Sequence, residues 1–322
     1  MTSYVIRAST EPAASKQWLA QQFPHRAWLI ADLQQRIDRA PAPISAYAPN
    51  PDRFGRAMER TLALDLCDEP PYPRLIASLP EPGKRHLLTT AGYAPTPGAS
   101  DGPWRKTSDR IPAARLFTVG SLLPDLDRAV HALRPAKPDE AQAIHAALRD
   151  RRTITVYART THAARPAFAA FWASYTSGFR NTLRGYGPVT APLNLLEGLR
   201  IADFLAGTTI VELKTGNLDD THHLQALIDQ VLAYALLAPV CGYPVTAAAM
   251  YLARYHVLAH YPLDTLLGRL AGQPINAIEA GQHLATLIRG EGPRKPPAAS
   301  RFELTTLATF QTEQARAVSP GP

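Results

Sequence analysis

The chain has 322 residues, 46% hydrophobic and 19% charged, enough for one large domain or two modest ones around a sizeable core. No run of eighteen apolar residues occurs, and the first residues lack the basic-then-apolar order of a signal peptide, so the expectation is a cytoplasmic protein without a membrane span. Two cysteines, Cys67 and Cys241, exclude a disulfide framework and cysteine-ligated iron–sulfur or zinc sites, while the net charge of +7 is compatible with a polyanionic partner.

In chain order, Tyr4 to Ala8 reads as a short strand, followed by helical stretches in which Trp28, Leu29, Ile30 and Leu33 share a face. Pro41 to Pro51 is a Pro-rich break. A helix is predicted from about Asp52, a plausible N-cap, to Leu66, with Phe54, Met58, Leu62 and Leu66 on one face. Residues 69–113 lack periodicity and read as loops, with short strands at Leu75–Ala77 and His86–Thr89. Helices are expected at Leu123–Leu133, Asp139–Leu148 and Ala164–Leu183. The aromatic set Phe168, Phe171, Trp172 and Tyr175 in the last reads as core rather than as a stacking platform.

From Leu199 the pattern changes. Ile201 to Leu205 is a short strand, Ala206-Gly207-Thr208 a turn, and Thr209 to Lys214 a β-branched strand, together a hairpin. A helix follows at Leu224–Ala238, closed by Pro239, with Asp219 or Asp220 as its cap. Strands at Val245–Leu252 and His256–Tyr261 and helices at Leu263–Leu270 and Ala277–Ile288 complete the ordered part. The end, from Gly290, is rich in Pro and Ala.

The hairpin carries the chemistry. Period-two alternation puts Ile210, Glu212 and Lys214 on one strand face, Val211 and Leu213 on the other. Asp203, on the partner strand, brings a second carboxylate near. Two carboxylates a few ångströms apart repel unless a cation separates them, and oxygen ligands favour a hard divalent ion. The two carboxylates and the Leu213 carbonyl would suit magnesium. A Glu-x-Lys strand is often only a solvated face. Here, however, the chain is Arg-rich, its lysine is one of six, and Asp203 precedes Glu212 across a single turn.

This order of residues resembles the RecB-like branch of the PD-(D/E)XK nucleases. The matching pieces are Asp203, a Gly turn, Glu212-Leu213-Lys214, and a helix with Gln230-x-x-x-Tyr234. It is closer still to an uncharacterised bacterial group, common in actinobacteria, whose members carry a strand like Met250-Tyr251-Leu252-Ala253-Arg254 and an early helix with a Gly four residues before an acid, as in Gly55 and Glu59. The resemblance implies an α/β (α+β) fold, a restriction-endonuclease-like core with a central mixed sheet flanked by helices, plus a largely helical N-terminal and inserted region. It implies Asp203, Glu212, the Leu213 carbonyl and Glu59 as metal ligands for Mg2+ (or Mn2+), and Lys214 as catalytic together with Asp203 and Glu212. Gln230 and Tyr234 would orient the site or touch DNA. For Glu59, a surface pairing with Arg56 or Arg60 remains the alternative.

The expected organisation is an N-terminal helical segment (1–50), a first core helix and long insertion (51–190), the nuclease core (191–290) and a flexible tail (291–322). The expected function is metal-dependent hydrolysis of phosphodiester bonds in nucleic acid, DNA in the first instance, by a metal-activated water. The alternative is a catalytically silent module that binds nucleic acid or a partner protein. A protein partner or homodimer stays open, as do restriction, phage defence, repair and mobile-element maintenance as biological roles. His222-His223 read as a helix start rather than as ligands, and Arg180, Arg184 and Arg200 as arginines near enough to reach phosphates.

Overall fold

A computed structural model describes residues 13–46, 48, 50–79, 81–96, 103–107, 111–132, 162–218 and 220–291. The strand expected at Tyr4–Ala8, the helix at Asp139–Leu148 and the tail beyond 291 lie outside these residues.

Helices α1 (Ala14–Gln22) and α2 (Ala27–Arg39) precede α3 (Pro51–Leu66), α4 (Pro73–Ala77) and α5 (Glu81–Thr90). A small ribbon, β1 (Tyr93–Pro95) with β2 (Trp104–Lys106), leads into α6 (Ala113–Ala132). Next, α7 (Arg165–Ser174) passes through one turn of π-helix (Tyr175–Phe179) into α8 (Arg180–Gly185). Strands β3 (Val189–Thr190), β4 (Leu193–Leu195), β5 (Arg200–Ala202), β6 (Phe204–Ala206) and β7 (Thr209–Lys214) follow. The described chain ends with α9 (Thr221–Val240), β8 (Ala247–Leu252), β9 (Val257–Pro262), α10 (Leu263–Ala271) and α11 (Ala277–Glu291).

Five strands form a mixed sheet in the order β3-β6-β7-β8-β9; β7 and β8 run parallel and the other neighbours antiparallel. Alternation sends side chains to two cores. Phe204, Val211, Leu213, Ala249 and Tyr251 face α3, α6 and α7, whereas Leu205, Ile210, Ala248, Met250 and Leu252 face α9, α10 and α11. The result is a mixed α/β fold with helices on both faces of the sheet. Each fully buried Leu or Phe contributes roughly 1.5–3 kcal/mol.

Several elements match the sequence pattern. In α3, Phe54, Met58, Leu62 and Leu66 are all buried, and so are Phe168, Phe171 and Tyr175 of the aromatic set. Other expectations are corrected. The cap of α3 is Asn50, whose side chain accepts from Arg53 N, so Asp52 lies inside the first turn behind Pro51. Leu75–Ala77 and His86–Thr89 are helical, not strands. In α4, Pro73 occupies the first turn and Leu75 and Ile76 are buried; in α5, Leu87 and Leu88 pack inward. Pro239 lies within the last turn of α9, and Asp220 caps its start by accepting from His222 N. By length and composition α9 is the one described helix able to cross a membrane, yet 56% of its apolar window is buried inside the fold.

The strand expected over Ile201–Leu205 is two strands. Ala202 pairs with Leu193 in the β4–β5 ribbon, and Phe204 pairs with Val211 in the five-stranded sheet. Asp203 sits at the bend between them. The β6–β7 hairpin closes on Gly207-Thr208, with Gly207 at φ 57°, the left-handed value that tight hairpin turns require.

Candidate functional site

Beyond Val211, β7 has no ladder partner in β6, because β6 begins at Phe204. The Asp203 side chain takes over that place, Oδ2 accepting from Leu213 N at 2.8 Å. In an extended strand the N–H and C=O of one residue point to the same side, so the Leu213 carbonyl also faces the Asp203 side.

Glu212 and Lys214 share the opposite sheet face. Glu212 is 3% exposed. Lys214 Nζ donates to Glu212 Oε1 at 2.6 Å and to Gln230 Oε1 at 2.9 Å on α9, and Gln230 Nε2 donates to Tyr234 Oη at 3.1 Å. One helical turn separates Gln230 from Tyr234, and that spacing lets the pair reach the strand from one face. The second Glu212 oxygen, Oε2, is buried without a hydrogen-bond partner.

The early helix arrives from the other side. A Cβ on Gly55 would stand 3.0 Å from Thr215 Oγ1, so glycine lets α3 pass close to the end of β7. One turn further on is Glu59, half-buried, its Oε1 accepting from Tyr72 Oη at 3.1 Å. Neither arginine expected as a surface partner holds Glu59 in an ion pair. Arg56 is exposed, and Arg60 is turned toward Asp127 at 3.4 Å and over the Tyr72 ring.

Charge ties the group together. Burial pushes the Asp203 carboxyl well above the ordinary range, and the charges of Glu212 and Glu59 push it further, against the Leu213 N–H and Lys214. Glu212 is pushed up to about 7, by burial first and then by Glu59, opposed by Lys214. Glu59 is raised by burial, with Arg60, Tyr72 and Lys214 pulling the other way. Lys214 is also raised: burial disfavours the ammonium, but Glu212, Asp203 and Glu59 outweigh it. Three carboxylates therefore feel one another's charge around one lysine, an excess of negative charge in a poorly solvated place.

Among the described residues, no three His, Cys, Asp or Glu side chains stand ready grouped around a point where a metal ion would sit. Glu212 is turned to Lys214. The donor set nonetheless fits a hard divalent ion: oxygen atoms only, surplus negative charge, and the buried Glu212 Oε2 without a partner. Asp203, Glu212, Glu59 and the Leu213 carbonyl would hold it.

The structure thus brings together Glu59, Asp203, Glu212, Lys214, Gln230 and Tyr234. It does not bring in His222 or His223, which are exposed at the start of α9. The three arginines are engaged elsewhere. Arg180 donates twice to Asp65 at 2.7 Å, Arg184 donates to the Asp65 carbonyl, and Arg200 donates to the Leu199 carbonyl and approaches Glu291. Tyr72 was missed. It stands in the aperiodic stretch after α3, in the left-handed region at φ 61°, and only the flanking prolines hinted at a fixed backbone there.

Compared with family models, with curated proteins and with solved structures, the chain matches none.

Proposed function

We propose that the sheet and its helices form a restriction-endonuclease-like core, and that the protein is a magnesium- or manganese-dependent nuclease acting on DNA. One observation carries this reading: Glu59, Asp203 and Glu212 share a buried region with Lys214 at the end of β7, and Glu212 Oε2 lacks a partner there. A surplus of buried carboxylates is costly unless a cation offsets it. When bound, a divalent ion supplies Lewis acidity to the phosphoryl group and to the attacking water.

The remaining work falls to the chain. Asp203 is oriented by the Leu213 N–H, which donates to its Oδ2. Lys214, its pKa raised by Glu212, Asp203 and Glu59 and its ammonium held by Glu212 and Gln230, would stabilise negative charge growing on a phosphate. Gln230, held by Tyr234, fixes the ammonium. The tight Lys214–Glu212 pair favours the second reading, a silent nucleic-acid-binding module in which this pair is permanent.

The test is cleavage of linear, circular and single-stranded DNA with magnesium, manganese or chelator, beside Lys214→Ala and Asp203→Ala. The expected result is metal-dependent cleavage lost in both variants. DNA binding without cleavage in any metal would leave the silent module.

A further inference from the structure

A cleft of about 510 Å³ opens beside β9, the edge of the sheet. Arg36 and Arg39, from the last turn of α2, line it together with Thr182, Tyr186, His256 and Val257, and none of its lining side chains is acidic. Arg36 is bonded to Asp32 at 2.7 Å, and Asp32 also accepts from Tyr261 Oη. Arg39 is exposed and has no hydrogen-bond or ion-pair partner among the described residues.

His256 is held in an unusual way. Its backbone is left-handed, φ 56° and ψ 32°, and its Nδ1 lies 2.6 Å from the Oγ of buried Ser174. With Nδ1 engaged, Nε2 is the ring nitrogen left for the cleft. The π-helical turn begins directly after Ser174, and such turns are frequent at functional sites.

The cleft lies at the same end of the sheet as the carboxylate–lysine site. Lys214 pairs in register with Leu252, and Leu252 with Val257. Two strand spacings, roughly 10 Å, separate the Lys214 and Val257 backbones. In open α/β sheets, ligands gather at the carboxyl ends of parallel strands, here the ends of β7 and β8.

We propose that this cleft holds a single-stranded stretch of nucleic acid, with Arg39 and His256 on backbone phosphates and Tyr186 against a base. Guanidinium and imidazole groups without a competing carboxylate recognise phosphodiesters. An aromatic wall serves a strand whose bases are unstacked, since a duplex hides its base faces. This binding does not rest on the nuclease reading.

The experiment is fluorescence anisotropy of a labelled oligothymidylate, roughly 12 nucleotides long, in chelator, with a duplex of equal length as control. Wild type is compared with Arg39→Glu and His256→Asn, each checked by thermal melting. Arg39 is exposed, so its variant keeps the fold, and asparagine tolerates the left-handed backbone at 256. Arg39→Glu is expected to weaken oligothymidylate binding about tenfold and to flatten the salt dependence by roughly 0.7 per lost phosphate contact. His256→Asn weakens it less, and the duplex binds more weakly throughout. Unchanged binding in Arg39→Glu, or no binding by wild type, overturns the proposal. Plasmid cleavage read in parallel separates the two ideas. Loss of binding in Arg39→Glu with no cleavage by wild type in any metal sinks the nuclease alone; cleavage with unchanged binding sinks the cleft alone.

Discussion

Asp65 and Glu212 are both carboxylates withdrawn from solvent, 2% and 3% exposed, and their surroundings are opposites. Asp65 accepts two bonds from Arg180 and one from Tyr175 at 2.6 Å, while Lys106 and Arg184 donate to its backbone carbonyl. Glu212 has one cation, shared with Gln230, two neighbouring carboxylates and an oxygen with no partner. The first arrangement completes its own charge and binds three distant segments of chain together. The second leaves its charge only partly offset. Equal burial thus goes with opposite degrees of charge compensation.

The sharpest way to break the contrast is by activity. Lys214→Ala and Asp203→Asn should each lower metal-dependent cleavage by about 10³-fold, read in single-turnover assays. Asp65→Asn should leave the rate per folded molecule almost unchanged. Stability should reverse the order. Asp65→Ala strands Arg180 and is expected to cost roughly 3–5 kcal/mol in urea unfolding, against less than about 1 kcal/mol for Glu212→Gln.

Titration gives a third contrast. Glu212 rises from 4.5 to about 7 on folding, so between these values the fold holds a proton that the unfolded chain has released. Metal-free protein should therefore lose stability as pH rises through that window, by up to about 3 kcal/mol from this group. Added magnesium should raise the melting temperature more at pH 8 than at pH 5, because only the ionised carboxylates bind it. Equal shifts at both pH values would contradict the proposed ligands. The smallest effect is expected from Gly55→Ala, whose Cβ would press on Thr215 Oγ1 and displace Glu59 by a few tenths of an ångström. Cleavage should fall several-fold, with stability changed by less than about 1 kcal/mol.

Strand β7 and helix α9 were legible because their signals are local: alternation puts Glu212 beside Lys214, and helical spacing stacks Gln230 and Tyr234. Gly55 and Glu59 were legible only through resemblance, since nothing in α3 itself says that its glycine abuts Thr215. The division of one expected strand at Asp203 was not legible. Residues on both sides suit extended structure, and the choice between two sheets is made by Leu193 and Val211, partners at different distances along the chain. Tyr72 stayed hidden because its contact with Glu59 crosses a stretch without periodicity. In α4 and α5, short apolar runs fit either period, and packing against the first core decided for helix.

The close passage of α3 over β7 joins two parts of the site that are far apart in the chain. Helix α3 lies far ahead of Asp203 and β7 in the chain and packs closely against α6. A Cβ on Gly120 would stand 2.9 Å from the Ala57 carbonyl, so these two helices fit backbone to backbone. The half of the site that holds Glu59 is thus carried on the packed pair of α3 and α6. A chain cut before β7 would carry the acid of α3 without the lysine whose charge it feels.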